Sequence, residues 1–166
     1  MVKVLMFTSC RHCGLTSLGT QQAIAFDQSQ SLRFAFVSDN REQEPGLFDA
    51  LGRVNGEVHV VTNLDDHQEF TSKAHQLRDV IARVNPDVIH VQTNWQLALV
   101  LRARLADRNK ARMVYTVHGF RNSSSVKAPF ARAVISGALL LTADKVITPS
   151  SFVHERFAIL GAKRFP

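Results

Sequence analysis

Short β-rich runs alternate with longer stretches of helical spacing along the whole chain, the pattern of a parallel sheet covered by crossover helices. Val2 to Phe7 opens as a strand, the loop Thr8 to Ser17 carries Gly14, and Leu18 to Asp27 reads as a helix. Leu32 to Val37 and Glu57 to Thr62 are β-branched or aromatic and are bounded by the turn formers Asp39, Asn40, Asn55 and Gly56, so both are predicted strands. Gly46 to Val54 between them is compatible with a helix. From Gln68 to Val84 the apolar residues Phe70, Ala74, Leu77, Val80, Ile81 and Val84 recur at helical spacing, with Lys73, Arg78, Asp79 and Arg83 assigned to the solvent face. Pro86 halts this helix. Val88 to Val91 is nearly continuous in apolar character, as a strand buried on both faces requires. A mostly apolar helix follows from Gln96 to Ala106, then a strand from Met113 to Val117 and a helix from Pro129 to Leu141. The last elements are a strand from Val146 to Thr148 and a helix from Ser151 to Leu160, stopped by Gly161.

These elements predict an α/β fold: a doubly wound, mostly parallel Rossmann-like sheet of about six strands flanked by helices. The length of 166 residues suits one domain. Hydrophobic residues make up 45% and charged residues 20% of the chain, which excludes disordered and fibrous classes. With 20 Lys and Arg against 14 Asp and Glu, the formal charge is +6, which favours phosphate-bearing ligands, anionic lipid surfaces and nucleic acid alike. The opening residues do not resemble a signal peptide, and the weakly polar run Ala133 to Ala143 is far shorter than the ~20 residues of a membrane span. A cytoplasmic protein is expected. The two cysteines, Cys10 and Cys13, are too close together to staple a fold of this size.

Ligands of doubly wound sheets bind outside the carboxyl ends of the strands, which selects the loops after Phe7, Val91, Val117 and Thr148. The first is a turn rich in small residues, with Ser9, Gly14, Leu15 and Thr16, suited to present backbone N–H groups to a phosphate or a sugar hydroxyl. Gly14 and Gly19 do not reproduce the dinucleotide spacing G-x-G-x-x-G, although Asp39 lies close to the end of the second strand and keeps that reading open. Cys10-Arg-His-Cys13 at a helix start is also the layout of a low-pKa dithiol, so a redox protein remains a competing class. No second ligand pair accompanies it, and no metal site is expected.

Within Pro86-Asp-Val-Ile-His-Val-Gln92, His90 falls inside a strand and reads as a core histidine with satisfied hydrogen bonds. Gln92, Asn94 and Trp95 sit at the strand end, where amides and an aromatic ring suit a hydroxyl-rich ligand. Within Tyr115-Thr-Val-His-Gly-Phe120, His118 falls just past a strand, and Gly119 permits a sharp turn that leaves the imidazole facing a cleft. Arg121 to Lys127 is polar and basic, the composition of a solvated loop or a lid over a phosphate-bearing acceptor. Ser150 or Ser151 reads as the N-cap of the last helix.

The ordered set Pro86-Asp-Val-Ile-His, Tyr115-Thr-Val-His-Gly-Phe and Ala143-Asp-Lys-Val-Ile-Thr-Pro-Ser resembles glycosyltransferase family 4, and the resemblance covers Val2 to Gly161. It implies one half of a two-domain GT-B architecture, an N-terminal acceptor-binding domain whose C-terminal partner holds a nucleotide-diphosphate sugar. This half is then expected to bind no cofactor of its own and to be inactive alone. The resemblance implies a catalytic role for His118 beside the transferred sugar. It further implies an acceptor and donor cleft built from the loop around Ser9, Gly14, Leu15 and Thr16, from Gln92, Asn94 and Trp95, from Gly119, Phe120 and Arg121, and from Ser150. A carbohydrate or phosphate-bearing acceptor is expected, with peripheral contact to an anionic inner membrane face and no nucleic acid. The chain departs from the family pattern in its first loop, which lacks the usual paired glycines, and at Gln92, where a histidine is common. A sugar-nucleotide epimerase half and a noncatalytic glycan- or partner-binding module are the other readings.

Overall fold

The structure is a computed structural model that describes residues 1–7, 31–39, 57–64, 66, 68–106, 109–117, 137–139 and 141–148. Six strands form one sheet: β1 (Val2–Phe7), β2 (Leu32–Asp39), β3 (Glu57–Val61), β4 (Val88–Val91), β5 (Arg112–Thr116) and β6 (Lys145–Ile147). Their order is β3-β2-β1-β4-β5-β6, and every pairing is parallel. This is the doubly wound sheet that the alternation predicts. The order reverses between β1 and β4, where successive connections leave in opposite directions and open a crevice at the carboxyl edge.

Two helices, α1 (Phe70–Val84) and α2 (Asn94–Ala106), lie side by side on one face. Their apolar stripes close over alternate strand residues, among them Leu5, Phe7, Ala35, Val37, Ile89, Val91 and Met113, to form the main core with Leu77, Ile81, Leu99 and Val100. The intervening strand positions point the other way: Met6, Phe34 and Phe36 cluster on the opposite face with Val4, Leu32 and Val58. Residues 137–139 and 141–142 are helical, so the helix predicted to end at Leu141 reaches one residue further, to Thr142. The predicted helices over Leu18 to Asp27, Gly46 to Val54 and Ser151 to Leu160 lie outside the described residues. No helix among the described residues is long and apolar enough to cross a membrane.

The amino edge of the sheet is sealed by two aspartates used in the same way. Asp87, just before β4, accepts the Lys3 N–H on Oδ2 at 2.8 Å and donates its own N–H to the Lys3 carbonyl at 2.9 Å. Asp144, just before β6, accepts the Met113 N–H on Oδ2 at 2.7 Å and donates its N–H to the Met113 carbonyl at 2.8 Å. Each carboxylate satisfies a donor that a parallel ladder leaves open at its first rung. Asn85 ends α1 in the left-handed region (φ 46), its N–H reaching the Ile81 carbonyl at 2.9 Å, which sets up Pro86 to turn the chain into β4.

Several predicted details are corrected. Strand β2 runs two residues past Val37, because Ser38 and Asp39 pair with Val60 and Val61 of β3 despite their turn-forming character. Helix α2 starts two residues before Gln96, since Thr93 caps it: the Thr93 Oγ1 accepts the Gln96 N–H at 3.1 Å, and the Thr93 carbonyl accepts the Leu97 N–H. Strands β5 and β6 each begin and end one residue earlier than predicted.

The largest correction is Lys73, which is not on the solvent face of α1 but only 1% exposed. Its ammonium donates to the carbonyls of Asp66 (2.7 Å) and Gln68, and so gathers the segment between β3 and α1 against the helix. Backbone carbonyls supply the partners that a buried cation requires.

Leu77 is fully buried in the main core. Leu77→Ala is expected to destabilise the fold by about 2–5 kcal/mol, the range for a leucine deleted from a packed interior. Urea denaturation measures this, and a loss below about 1 kcal/mol would contradict the assigned packing.

Candidate functional site at the carboxyl edge

The backbone ladder between β1 and β4 runs through Val4↔Val88, Leu5↔Ile89 and Met6↔His90. One step beyond it, the Gln92 side chain crosses the switch point and donates from Nε2 to the Phe7 carbonyl at 3.1 Å. The Gln92 N–H turns instead to Gln96 Oε1 at 2.9 Å. Both side chains are buried, with 4% and 1% exposure. Thr93 and Gln96 have the Thr-x-x-Gln spacing of a capping box, but Gln96 reaches back to the N–H of Gln92 rather than to that of the capping residue itself. The start of α2 is thereby tied to the end of β4, and the end of β4 to the end of β1.

Asn94 and Trp95 follow on the first turn of α2. Asn94 is exposed, and its Oδ1 accepts the Tyr115 hydroxyl at 2.7 Å. Trp95 is half-buried: its ring meets Phe70 at a centroid distance of 5.5 Å, and its Nε1 donates to the Leu64 carbonyl at 2.7 Å. That bond joins α2 to the segment held by Lys73. Asn63 and Glu69 within it adopt left-handed backbone (φ 53 for each), and Thr62 donates its N–H to Gln76 Oε1 at 3.1 Å. A braced wall results beside the crevice.

Under this edge, His90 Nε2 lies 2.8 Å from Thr116 Oγ1, and both side chains are buried. His90 is therefore the core histidine that the strand position predicts, and its bond links β4 to β5 just below the loops. Ser38 and Asp39 are likewise buried at the carboxyl end of β2. Gln92, Asn94 and Trp95 are thus brought together at one edge, but with different duties. The Gln92 amide nitrogen bonds backbone, Trp95 braces a wall, and Asn94 alone of the three is exposed. Ser9, Gly14, Leu15, Thr16, His118, Gly119, Phe120, Arg121 and Ser150, together with Cys10 and Cys13, lie outside the described residues.

A hollow of about 550 Å³ at the opposite, amino edge is lined in part by Asn85, Asp87, Lys110 and Arg112. Two of its polar groups serve the fold: Asp87 holds Lys3, and Asn109 Oδ1 accepts the Ala111 N–H. Among the described residues, no three His, Cys, Asp or Glu side chains are grouped so as to hold a metal ion.

The sequence model of Glycosyltransferase Family 4 matches residues 35–164, well over half of the chain. The chain belongs to glycosyltransferase family 4. No curated protein matches it. Among solved structures it is similar to a Listeria monocytogenes protein assigned as a UDP-N-acetylglucosamine 2-epimerase, at 16% identity and a TM-score of 0.59, covering 98% of this chain and 42% of that one. A second UDP-N-acetylglucosamine 2-epimerase structure matches at 14% identity and a TM-score of 0.60, covering 98% and 46%. These likenesses establish the GT-B-type fold, and the family 4 chain spans less than half the length of either structure.

Thr93, Gln96 and Lys73 were not singled out by the sequence reading as parts of this edge. The Thr-x-x-Gln spacing is a legible signal for the first two; nothing local distinguishes Lys73 from an exposed lysine.

Tyr115 is the one tyrosine of the chain, and burial raises its pKa from 10.0 to about 12. Between about pH 10 and pH 12 the unfolded chain has lost the phenolic proton while the folded chain keeps it. The stabilisation is therefore intact below pH 10 and declines as pH rises to 12, by roughly 2–3 kcal/mol from this group. Phenolate ultraviolet absorbance should show a single midpoint near 12 in the folded protein. A midpoint near 10 would remove Tyr115 from its bond to Asn94.

Proposed function

We propose that this chain is the N-terminal, acceptor-binding half of a retaining GT-B glycosyltransferase that moves a sugar from a nucleotide-diphosphate sugar to a glycan, lipid or small-molecule acceptor. The observation that carries the reading is family 4 membership. The convergence of Gln92, Asn94 and Trp95 at the switch point supports it, because that is where doubly wound sheets meet their ligands. The exposed Asn94 amide and the Trp95 ring offer directional hydrogen bonding beside an apolar surface, a combination suited to a sugar.

In this proposal a C-terminal domain supplies the nucleotide-sugar site and faces the carboxyl edge across the cleft. The leaving nucleotide diphosphate departs from the same face on which the acceptor hydroxyl attacks, so anomeric configuration is retained. Catalysis then consists of stabilising leaving-group charge rather than supplying a covalent nucleophile. His118, which follows Val117 directly in the sequence, is proposed to act beside the transferred sugar. The first loop, with Ser9, Gly14, Leu15 and Thr16, together with Gly119, Phe120, Arg121 and Ser150, completes the cleft. The net positive charge supports a phosphate-bearing acceptor and a working place at the cytoplasmic membrane face.

The chain by itself is expected to fold cooperatively and to transfer no sugar from any nucleotide-sugar donor. In a two-domain protein containing it, His118→Ala should lower turnover by roughly ten- to a thousand-fold with little change in melting temperature, the range for removing one positioned polar group near developing charge. Transfer of labelled sugar to acceptor, followed together with the C2 configuration of UDP-N-acetylglucosamine, is the deciding assay. Epimerisation without transfer would replace the proposal with the epimerase reading. A collapsed melting temperature with normal turnover would return His118 to a structural role.

A further inference from the structure

The backbone pairing of β1 with β4 runs to Met6↔His90, and the two strand ends are joined further through a side chain. Past that pair a glutamine side-chain amide takes the place of a backbone rung. The strands can therefore diverge while staying tethered. Because Gln92 donates its side-chain N–H to Phe7 and its backbone N–H to Gln96, a single residue fixes both the end of β1 and the start of α2. Burial removes competing water from both bonds.

We infer that Gln92 and Gln96 form a positioning clasp that holds the end of β1, the end of β4 and the start of α2 at a fixed spacing across the switch point. Gln92 then serves the acceptor through the Phe7 carbonyl and does not touch it. Gln96 serves it one bond further away. The inference rests on the carboxyl edge being the sugar-transfer cleft, but the clasp can be examined without any activity.

Three variants separate the contributions. Gln92→Leu keeps the volume of the side chain and removes the donor. Gln92→Glu presents a carboxylate to a carbonyl. Gln92→His restores an N–H at the same reach from Cβ and should rescue. In this chain, hydrogen exchange of 92–97 should accelerate in the Leu and Glu variants and return toward the parent rate in the His variant, while 70–84 stays protected in all three. In a two-domain protein containing the chain, the Leu variant should raise the acceptor KM by about three- to tenfold, the worth of one neutral hydrogen bond, with kcat changed less. If Gln92→Leu does not fold, Gln96→Leu tests the other bond of the clasp, removing the acceptor of the Gln92 N–H with the Gln92 side chain in place.

Unchanged exchange at 92–97 in the Leu or Gln96 variants would overturn the clasp itself. Faster exchange with an unaltered KM, or equal losses in the Leu and His variants, would overturn its service to the site. Absence of transfer by the parent two-domain protein would defeat the proposed function, leaving the clasp to be judged on exchange alone.

Discussion

A parallel sheet cannot close its own ends. Each strand leaves a row of backbone donors at one edge and acceptors at the other, and no hairpin satisfies them. This protein meets the constraint with side chains placed immediately beside the strands. Asp87 and Asp144 seal the amino edge by pairing with the backbone of the neighbouring strand. Gln92 and Gln96 do the corresponding work at the carboxyl edge, at the one place where the strand order reverses. The choice of residue follows the polarity of the edge: carboxylates accept from exposed N–H groups, and an amide donates to an exposed carbonyl while another accepts.

The two edges consequently have different characters. At the amino edge the bonds are mutual between Asp and backbone. At the carboxyl edge the sealing groups are buried, but they support an exposed amide on Asn94 and an aromatic wall at Trp95. His90 and Thr116 form a buried polar layer beneath them. The wall extends through Leu64 to the segment gathered by the Lys73 ammonium, so α1, α2, β3 and β4 bear on the same crevice through named bonds. In the proposed function this edge is the cleft, and aligning two substrates calls for such bracing.

Two of the three segments that carry the family 4 resemblance acquire a physical explanation in this arrangement. Asp87 in Pro86-Asp-Val-Ile-His and Asp144 in Ala143-Asp-Lys-Val-Ile-Thr occupy equivalent places before a strand and make equivalent bonds. These acids are signatures of the sheet and perform no chemistry at its far edge. His90, in the first of the segments, is a structural link between β4 and β5. The resemblance is thus strong evidence for fold and family while saying less about which side chains meet a substrate.

The alternation of apolar runs and helical spacing determined the number of strands, their parallel sense and the buried stripe of α1, because period and burial are local properties that a linear pattern records. Strand ends at Ser38 and Asp39 and the start of α2 at Asn94 were misplaced by two residues. There, pairing with β3 and capping by Thr93 outweighed the turn-forming tendency of the residues themselves. Three polar contacts escaped the pattern: Lys73 is buried because carbonyls from a different segment surround its ammonium, the Gln92 amide donates to the Phe7 carbonyl, and Gln96 answers the Gln92 N–H. The partner of Gln92 is 85 residues away in sequence. No local rule reports such a distance; only the order of strands in the folded sheet brings that carbonyl and that amide together.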